Sequence, residues 1–416
     1  MYQDFTVNLG NLLLSISDAM DLASPDISSH QLRTGYMAWR MARAAGLDDD
    51  EVERIFVAAL MHDVGALSLE EKRRIHRFDD DLDPHCRIGA DLLEGTPVLA
   101  HAAPIVRHHH RPWCEWDRPI DDRDVFASQV LLLADFVERK IDRGVYILHQ
   151  VPSILDAARD AAGQLVHADV VDLLLQASRA EEFWFDMVSP RLYSTLLNAG
   201  PHRRISADLE QIESVATLLS HIIDYRSRFT STHSASVAES AVQIARRFGL
   251  GELDVRLLGI AGVTHDLGKL AIPNAILDKP ERLTEAEMQV MQQHSYFTYT
   301  ILRSIEGFGQ IADWAGLHHE KLDGTGYPFH LADERLSTGA RILAVADVFT
   351  ALVEDRPYRA GFDRVRVQAI LRDEVNNHVL DRRVVDTLVD DYAEIRRAAM
   401  QRAIEAKGYY EKMLGF

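Results

Sequence analysis

Two stretches of the sequence decide the fold, because each is a version of the other. Residues 30–65, HQLRTGYMAWRMARAAGLDDDEVERIFVAALMHDVG, align without a gap with residues 233–268, HSASVAESAVQIARRFGLGELDVRLLGIAGVTHDLG. An internal match of this length indicates a duplicated domain. We therefore predict two domains, residues 1–195 and residues 196–416.

The repeat continues through a set of histidines and aspartates. The alignment shifts twice beyond residue 268, at segments whose Pro and Gly content is typical of loops. Each domain then carries seven equivalent residues. In the first domain they are His30, His62, Asp63, His85, His109, His110 and Asp135. In the second domain they are His233, His265, Asp266, His294, His318, His319 and Asp347.

Apolar residues recur at helical spacing within each domain. Three- and four-residue steps that include Val237 and Ala241 stop at Gly249, and the matching pattern of the first domain stops at Gly46. Such a pattern is typical of an amphipathic helix that ends at a glycine. Strand-like alternation is scarce, so we predict an all-α fold with a linking helix at 196–226 and a C-terminal helix at 387–413.

The composition limits the class of function. The chain has 416 residues, with 64 Asp and Glu against 45 Lys and Arg, and a formal net charge of −19. This charge repels nucleic-acid backbones and anionic membranes, so we expect no DNA partner. Two cysteines cannot form a disulfide framework, and neither a signal peptide nor an 18-residue apolar run is present. We expect a cytoplasmic protein without a membrane span.

Histidine is the unusual component, because 19 residues are about twice the ordinary share. The second domain places five imidazoles and two carboxylates in apolar segments, where burial is unfavourable without a compensating charge. Imidazole and carboxylate ligands without thiolate suit Fe, Mn, Ni, Co or Zn. Seven groups exceed what one tetrahedral zinc needs, so we expect two divalent ions that share Asp266.

Other side chains could complete a phosphoester hydrolase, for which two ions about 3.5 to 4 Å apart are typical. Lys269 follows the His-Asp pair by about one helical turn and should face the ligands. Arg356 and Arg359 could clamp a phosphate, or could belong to a solvated loop. Tyr327, in the Gly-rich loop HHEKLDGTGYP, could stack on a base or anchor the loop to the core.

Five motifs in the second domain, THDLGK, QQHSYFTYTIL, HHEKLDGTGYP, RILAVADVFTAL and DRPYR, resemble the HD-GYP phosphodiesterases. These form a bacterial branch of the HD metal-dependent phosphohydrolase superfamily, and the resemblance covers about residues 225–390. It implies tandem HD-type helical domains, the second of HD-GYP type, and hydrolysis of cyclic di-GMP or 3′,3′-cyclic GMP-AMP to the linear dinucleotide or further to mononucleotides. It also implies that the seven residues of the second domain are ligands, that Asp266 and Lys269 are catalytic, and that Arg356 and Arg359 bind phosphate.

The resemblance bears on the metals as well. It implies a centre of two or three ions, often iron, and manganese and nickel also suit these ligands. Some family members place a glutamate four residues before the first ligand histidine to hold a third ion. Phe229 stands there in this sequence and cannot ligate a metal, so we expect two ions.

The first domain retains its seven ligand-type residues and could form a second metal cage. It has Ala66 where the second domain has Lys269, HHRPW where the second has HHEKLDGTGYP, and Gly144 in place of Arg356. We expect a regulatory or structural domain in preference to a second active site, because turnover also needs charge-stabilising groups.

Two other functions stay open at this stage. The chain could be a cyclic-dinucleotide receptor that binds without turnover, or an HD-type hydrolase of nucleotides. It could also form a homodimer, on which the sequence is silent.

Overall fold

Almost all regular structure in the chain is helical, as the apolar spacing predicts. A computed structural model describes residues 5–22, 28–66, 83–202, 205–225, 232–355 and 360–414. The chain divides into two compact units, Met1–Ser214 and Val215–Phe416, here called the first unit and the second unit. The prediction of an all-α fold is confirmed. The domain limits proposed from the sequence, 1–195 and 196–416, stay a prediction.

The described part of the first unit consists of helices and one short two-stranded sheet, in which β1 and β2 pair antiparallel with Val7 opposite Ala207. In chain order its elements are β1 (Val7–Asn8), α1 (Leu9–Met20), α2 (His30–Ala44), α3 (Asp49–Met61), α4 (Asp83–Glu94), α5 (Ala103–Arg107), α6 (Arg123–Glu138), α7 (Ile147–Asp160), α8 (Ala168–Ala177), α9 (Glu181–Val188), α10 (Leu192–Ala199) and β2 (Ser206–Ala207).

Helix α11 (Leu209–Tyr225) contains the boundary between the units, and the second unit continues from it. The remaining helices are α12 (His233–Phe248), α13 (Glu252–Thr264), α14 (Asn274–Leu277), α15 (Glu285–Arg303), α16 (Gly309–Gly316), α17 (Thr338–Val353), α18 (Arg364–Asn376), α19 (Arg382–Asp390) and α20 (Tyr392–Leu414).

Two helix limits differ from those expected. The helix expected over 196–226 begins at Leu209, because Gly200 and Pro201 follow α10 and proline cannot continue a helical hydrogen-bond ladder. The helix expected over 387–413 is divided at Asp391 into α19 and α20.

The glycine ends of the ligand-bearing helices agree with the sequence pattern. Gly249 has φ 90° and Gly46 has φ 71°, in the left-handed region that glycine adopts without a steric penalty. The amide of Leu250 donates to the carbonyl of Ala245 at 3.0 Å, which closes α12.

The packing of the helices brings their functional ends together. In the second unit, α12 packs against α13, α17 and α20, and α15 packs against α16. In the first unit, α2 packs against α3, α6 and α8, and α4 packs against α5. The corresponding helices of the two units therefore make corresponding contacts around their histidines.

Among the described helices, none is both long enough and apolar enough to span a lipid bilayer.

The turn after each His-Asp pair packs directly on the backbone of the next ligand helix. A Cβ atom placed on Gly268 would lie 1.9 Å from the carbonyl oxygen of His294, and one on Gly65 would lie 2.1 Å from that of His85. The amide of Gly268 also donates to Thr298 Oγ1 at 2.8 Å. Glycine at these positions lets the two segments approach closely enough for their side chains to meet.

We expect Gly268→Ala to lower the free energy of unfolding by about 1–3 kcal/mol, because the added methyl group overpacks this contact. Urea unfolding of the full chain measures the change. Gly408→Ala is the control, since Gly408 is an exposed helical residue where a Cβ meets nothing within 4 Å. That variant should be as stable as the wild type or up to about 1 kcal/mol more stable. Equal stability of the Gly268→Ala variant and the wild type would contradict the account.

Candidate metal centre

The second unit brings its seven predicted ligand residues to one place. They arrive from five segments: His233 begins α12, the His265–Asp266 pair follows α13, His294 lies in α15, the His318–His319 pair follows α16, and Asp347 lies in α17. His319 is partly exposed, and the other six side chains are buried.

Backbone hydrogen bonds fix the tautomers of three of the histidines. The Nδ1 atoms of His265, His294 and His318 lie 2.8, 2.7 and 2.6 Å from the carbonyl oxygens three residues earlier. A carbonyl oxygen can only accept, so each Nδ1 donates and each neutral ring presents a bare lone pair at Nε2. The Nε2 atoms of His294 and His318 face each other at 3.3 Å. Two converging lone pairs repel unless a cation lies between them, so this donor set fits a metal ion.

The ligand atoms form a connected set around one carboxylate. Oδ2 of Asp266 lies 3.2 Å from His265 Nε2, and its Oδ1 lies 3.5 Å from His294 Nε2. Three overlapping groups of ligand atoms in the described part of the second unit lie within 4.8 Å of one another: His233, His265 and Asp347, then His265, Asp266 and His318, and then His294, His318 and His319. Asp266 lies in the middle group and presents one oxygen toward each of the outer two.

The electrostatics keep two of the histidines and the central carboxylate in metal-binding protonation states. Burial lowers the pKa of His294 to about 3 and holds that of His318 well below its usual range, so both rings are neutral. Burial alone would raise the pKa of Asp266, but His265 and Lys269 outweigh it and keep the carboxyl group ionised. Neutral imidazoles and ionised carboxylates are the forms that ligate metals.

Glu354 belongs to the site, and the sequence interpretation missed it. His233 Nδ1 donates to Glu354 Oε2 at 3.0 Å, while His233 Nε2 lies 3.1 Å from Asp347 Oδ1. Burial would lower the pKa of His233, but the two carboxylates raise it to about 10. Glu354 thus orients the ring and increases its basicity, as carboxylates beside metal-ligating histidines do. The available signal was an acidic residue directly after the helix that carries Asp347.

Asp224 is a second missed residue. It is buried in α11 and accepts a hydrogen bond from Ser234 Oγ at 2.7 Å, beside His233. In the first unit, Asp21 accepts from the Gln31 amide at 2.9 Å beside His30. The same repeat offset that pairs His30 with His233 also pairs Asp21 with Asp224, so extending the repeat upstream would have found both.

The structure describes two of the other predicted site residues, Lys269 and Tyr327. Lys269 Nζ lies 2.6 Å from Asp266 Oδ2, so it faces the ligands, although it does so from a 3₁₀ turn at Leu267–Ala271 and not from a continued α-helix. The Tyr327 ring lies 4.9 Å from the His319 ring. Arg356, Arg359 and Phe229 lie outside the described residues.

A buried carboxylate shapes the loop that carries Tyr327. Glu320 is 3% exposed, and its two oxygens accept from the amides of Phe329 at 2.6 Å and Leu331 at 3.0 Å. The amide of Tyr327 donates to the His319 carbonyl at 3.2 Å. The loop is thus fixed against the ligand pair, and Glu320 is a third residue that the sequence interpretation missed.

The first unit also brings its predicted residues together, although with different neighbours. His30 Nε2 lies 3.3 Å from Asp135 Oδ1, and His85 Nε2 lies 3.3 Å from His109 Nε2. Ala66 is buried at the position of Lys269. The first unit therefore brings its seven ligand-type residues together but has no lysine at the position of Lys269.

Both units are similar in sequence to known proteins. The family described as HD domain matches residues 27–130 and again residues 217–384. The 3′3′-cGAMP-specific phosphodiesterase 1 of Vibrio cholerae is 33% identical over 402 residues, which cover 93% of this chain and 92% of that protein. The chain belongs to the HD-GYP family of cyclic-dinucleotide phosphodiesterases.

Other HD-GYP proteins support the assignment. The 3′3′-cGAMP-specific phosphodiesterase 3 of V. cholerae is 31% identical over 453 residues, covering 94% of this chain and 97% of that one. The cyclic di-GMP phosphodiesterase response regulator RpfG of Xanthomonas campestris is 36% identical over 205 residues, covering 48% of this chain and 54% of that one. A crystal structure of the V. cholerae enzyme V-cGAP3 has a TM-score of 0.65 at 22% identity and covers 93% of this chain and 98% of that one, so it shares the fold.

We expect Glu354→Gln to weaken metal binding by about 10- to 100-fold, because the amide orients His233 without increasing its basicity. Competition with a chelator measures the affinity. Glu239→Gln is the control, since Glu239 lies on the same helix as His233 but contacts Gln243. Wild-type affinity in the Glu354→Gln variant would show that the carboxylate has no such role.

Asp224 should make the stability of the metal-free protein depend on pH. Burial raises the pKa of Asp224 to about 7, from about 4 in an unfolded chain. The folded state therefore binds the Asp224 proton more tightly than the unfolded state does. The resulting gain in unfolding free energy is complete below about pH 4 and is lost as the pH rises through about 7. Between pH 5 and pH 8 the wild type should lose more unfolding free energy than Asp224→Asn. Equal losses in chemical unfolding would refute this.

Proposed function

We propose that the second unit hydrolyses a cyclic dinucleotide with two divalent metal ions. The observation that carries this proposal is the central position of Asp266, whose two oxygens face different histidines within one connected set of ligand atoms. The names of relatives matched over more than nine-tenths of the chain support the substrate class.

The proposed ligands are His233, His265, Asp266, His294, His318, His319 and Asp347. When bound, divalent ions supply Lewis acidity and a water nucleophile that is active at neutral pH. Iron is the first choice for the metal, and manganese and nickel also suit imidazole and carboxylate ligands. The role of the protein groups is to hold the ligand atoms fixed before the substrate arrives, so that no reorganisation is needed in the reaction.

In the proposed reaction, the oxygen of a water molecule bonds to phosphorus while the bond from phosphorus to the ribose 3′ oxygen breaks. The attacking water gives up one proton as its oxygen bonds to phosphorus, and the leaving oxygen, which gains negative charge, takes up one proton in exchange. Lys269, held at 2.6 Å from Asp266, is the cation that we assign to this charge. Arg356 and Arg359 are proposed to bind the phosphate bidentately, and Tyr327 to form a wall for a base. The product is a linear dinucleotide.

The preferred substrate is proposed to be 3′,3′-cyclic GMP-AMP. The two relatives that match almost their whole length, including both units, are named for this dinucleotide. RpfG, which is named for cyclic di-GMP, matches over about half of this chain. A panel that contains both dinucleotides discriminates between them.

The test is turnover by full-length protein purified anaerobically and loaded with Fe(II) or Mn(II). We expect linear products, with 3′,3′-cyclic GMP-AMP hydrolysed faster than cyclic di-GMP. Intact dinucleotides with fully loaded metal sites would overturn the proposal. Binding without turnover would identify a receptor, and hydrolysis of mononucleotides alone would identify a different HD-type phosphohydrolase.

Lys269→Ala should lower kcat by about 10²- to 10³-fold with the metal content unchanged, because it removes a charge that stabilises the transition state. Lys279→Ala is the matched control, since Lys279 forms its ion pair with Glu287 and not with the ligand residues. We expect that variant to turn over like the wild type. A Lys269→Ala variant with wild-type kcat would exclude the assigned role.

A further inference from the structure

The two cages differ in where their positive charge comes from. In the first unit, the Arg139 guanidinium lies 2.8 Å from Asp135 Oδ1 and 2.5 Å from Asp135 Oδ2. Both side chains are 2% exposed. The second unit has Ala351 at the corresponding position, and its Asp347 faces imidazoles. A fixed cation thus lies against both oxygens of Asp135.

The neighbouring histidine lies between two carboxylates, as His233 does in the second unit, but one of these carboxylates has arginine partners of its own. His30 lies between Asp135 and Glu138, with Nδ1 bonded to Glu138. Glu138 in turn pairs with Arg33 at 3.0 Å and with Arg143 at 3.6 Å. The half of the first cage that contains His30 and Asp135 therefore has its own counter-ions. Their charge compensates the buried carboxylates, so a metal ion is less necessary there.

The second unit lacks these cations at the equivalent positions. Ser236 corresponds to Arg33, and Asp355 corresponds to Arg143. The sequence of the second unit therefore supplies no basic side chain at these two positions.

The other half of the first cage, which contains His85, His109 and His110, also contains a cysteine that the second cage does not have. Cys86 is 2% exposed, and its Sγ lies 3.7 Å from His85 Nε2. Ser295 takes this place in the second unit. In this half the ligand atoms of His85, Cys86, His109 and His110 lie within 4.8 Å of one another, and in the other half those of His30, His62 and Asp63 do.

The nitrogen atoms of this group are arranged to bind a cation. His109 Nδ1 donates to the Val106 carbonyl at 2.6 Å, which leaves a lone pair at Nε2 facing His85 Nε2 at 3.3 Å. The Nε2 atom of His110 is buried and has no hydrogen-bond partner in the described part of the chain. A buried, unsatisfied imidazole nitrogen beside two converging ones is the donor arrangement of a metal site.

We propose that the first unit binds one metal ion at His85, Cys86, His109 and His110, with Cys86 as a thiolate, and that Arg139 takes the place of a second ion. A set of three imidazoles and one thiolate suits zinc or a similar divalent ion, and binding releases the thiol proton. Four protein ligands leave no open position for a substrate, which is typical of a structural site. This site does not depend on the proposed function of the second unit.

Cobalt(II) tests the thiolate ligand directly, because cobalt bound to sulfur shows a charge-transfer absorption band in the near ultraviolet. Cys86 and Cys114 are the two cysteines of the chain, so the band reports on the first unit alone. Full-length protein is loaded with cobalt(II) alone, and bound cobalt is counted by elemental analysis. Cys114→Ser is the control, since Cys114 is exposed.

We expect the band in the wild type and in Cys114→Ser. Cys86→Ser should lose it together with one ion per chain, and it introduces the residue type that the second unit uses at this position. Thermal unfolding of the variant checks that it folds. A fully loaded wild type without the band, or a Cys86→Ser variant that retains it, would overturn the thiolate site.

Arg139→Ala tests the second part of the proposal and reproduces the alanine of the second unit. Removing the guanidinium leaves Asp135 available as a ligand, so we expect one additional cobalt ion per chain with the thiolate band unchanged. An unchanged cobalt count in a folded Arg139→Ala variant would overturn the claim that Arg139 replaces an ion.

Discussion

The structure depends on one constraint, which is that buried imidazoles present their Nε2 lone pairs to one another. Backbone carbonyls hold the Nδ1 protons of His294 and His318, whose Nε2 atoms lie 3.3 Å apart, so these two rings cannot relieve the repulsion by changing tautomer. Apolar helices exclude the water that would otherwise solvate them. Only a cation satisfies such a site, and Asp266 supplies a carboxylate with one oxygen toward each half.

Much of the fold, and the meeting of the proposed ligand residues, could be predicted because the sequence contains the same unit twice. Helical spacing, terminal glycines and the paired His and Asp positions are local or repeated patterns, and the structure brings all seven residues of the second unit together. The all-α fold and the HD-GYP family were predicted correctly on this basis. The roles of Lys269, Tyr327 and the arginines stay predictions.

The carboxylates and arginines around the ligands were not predictable in this way. Glu138 follows its helix aspartate by three residues, whereas Glu354 follows Asp347 by seven. Each reaches the first histidine of its unit, so they are equivalent in space but not in the alignment. Arg139 has no counterpart in the second unit. A contact made from another helix leaves no periodic signal, and its identification requires the packing itself.

The most direct test of the central claim is anomalous X-ray diffraction from crystals of anaerobically iron-loaded protein. The account predicts two iron peaks in the second unit, one among His233, His265 and Asp347 and the other among His294, His318 and His319, with Asp266 contacting both. A single peak in that unit, or none at full iron loading, would contradict it.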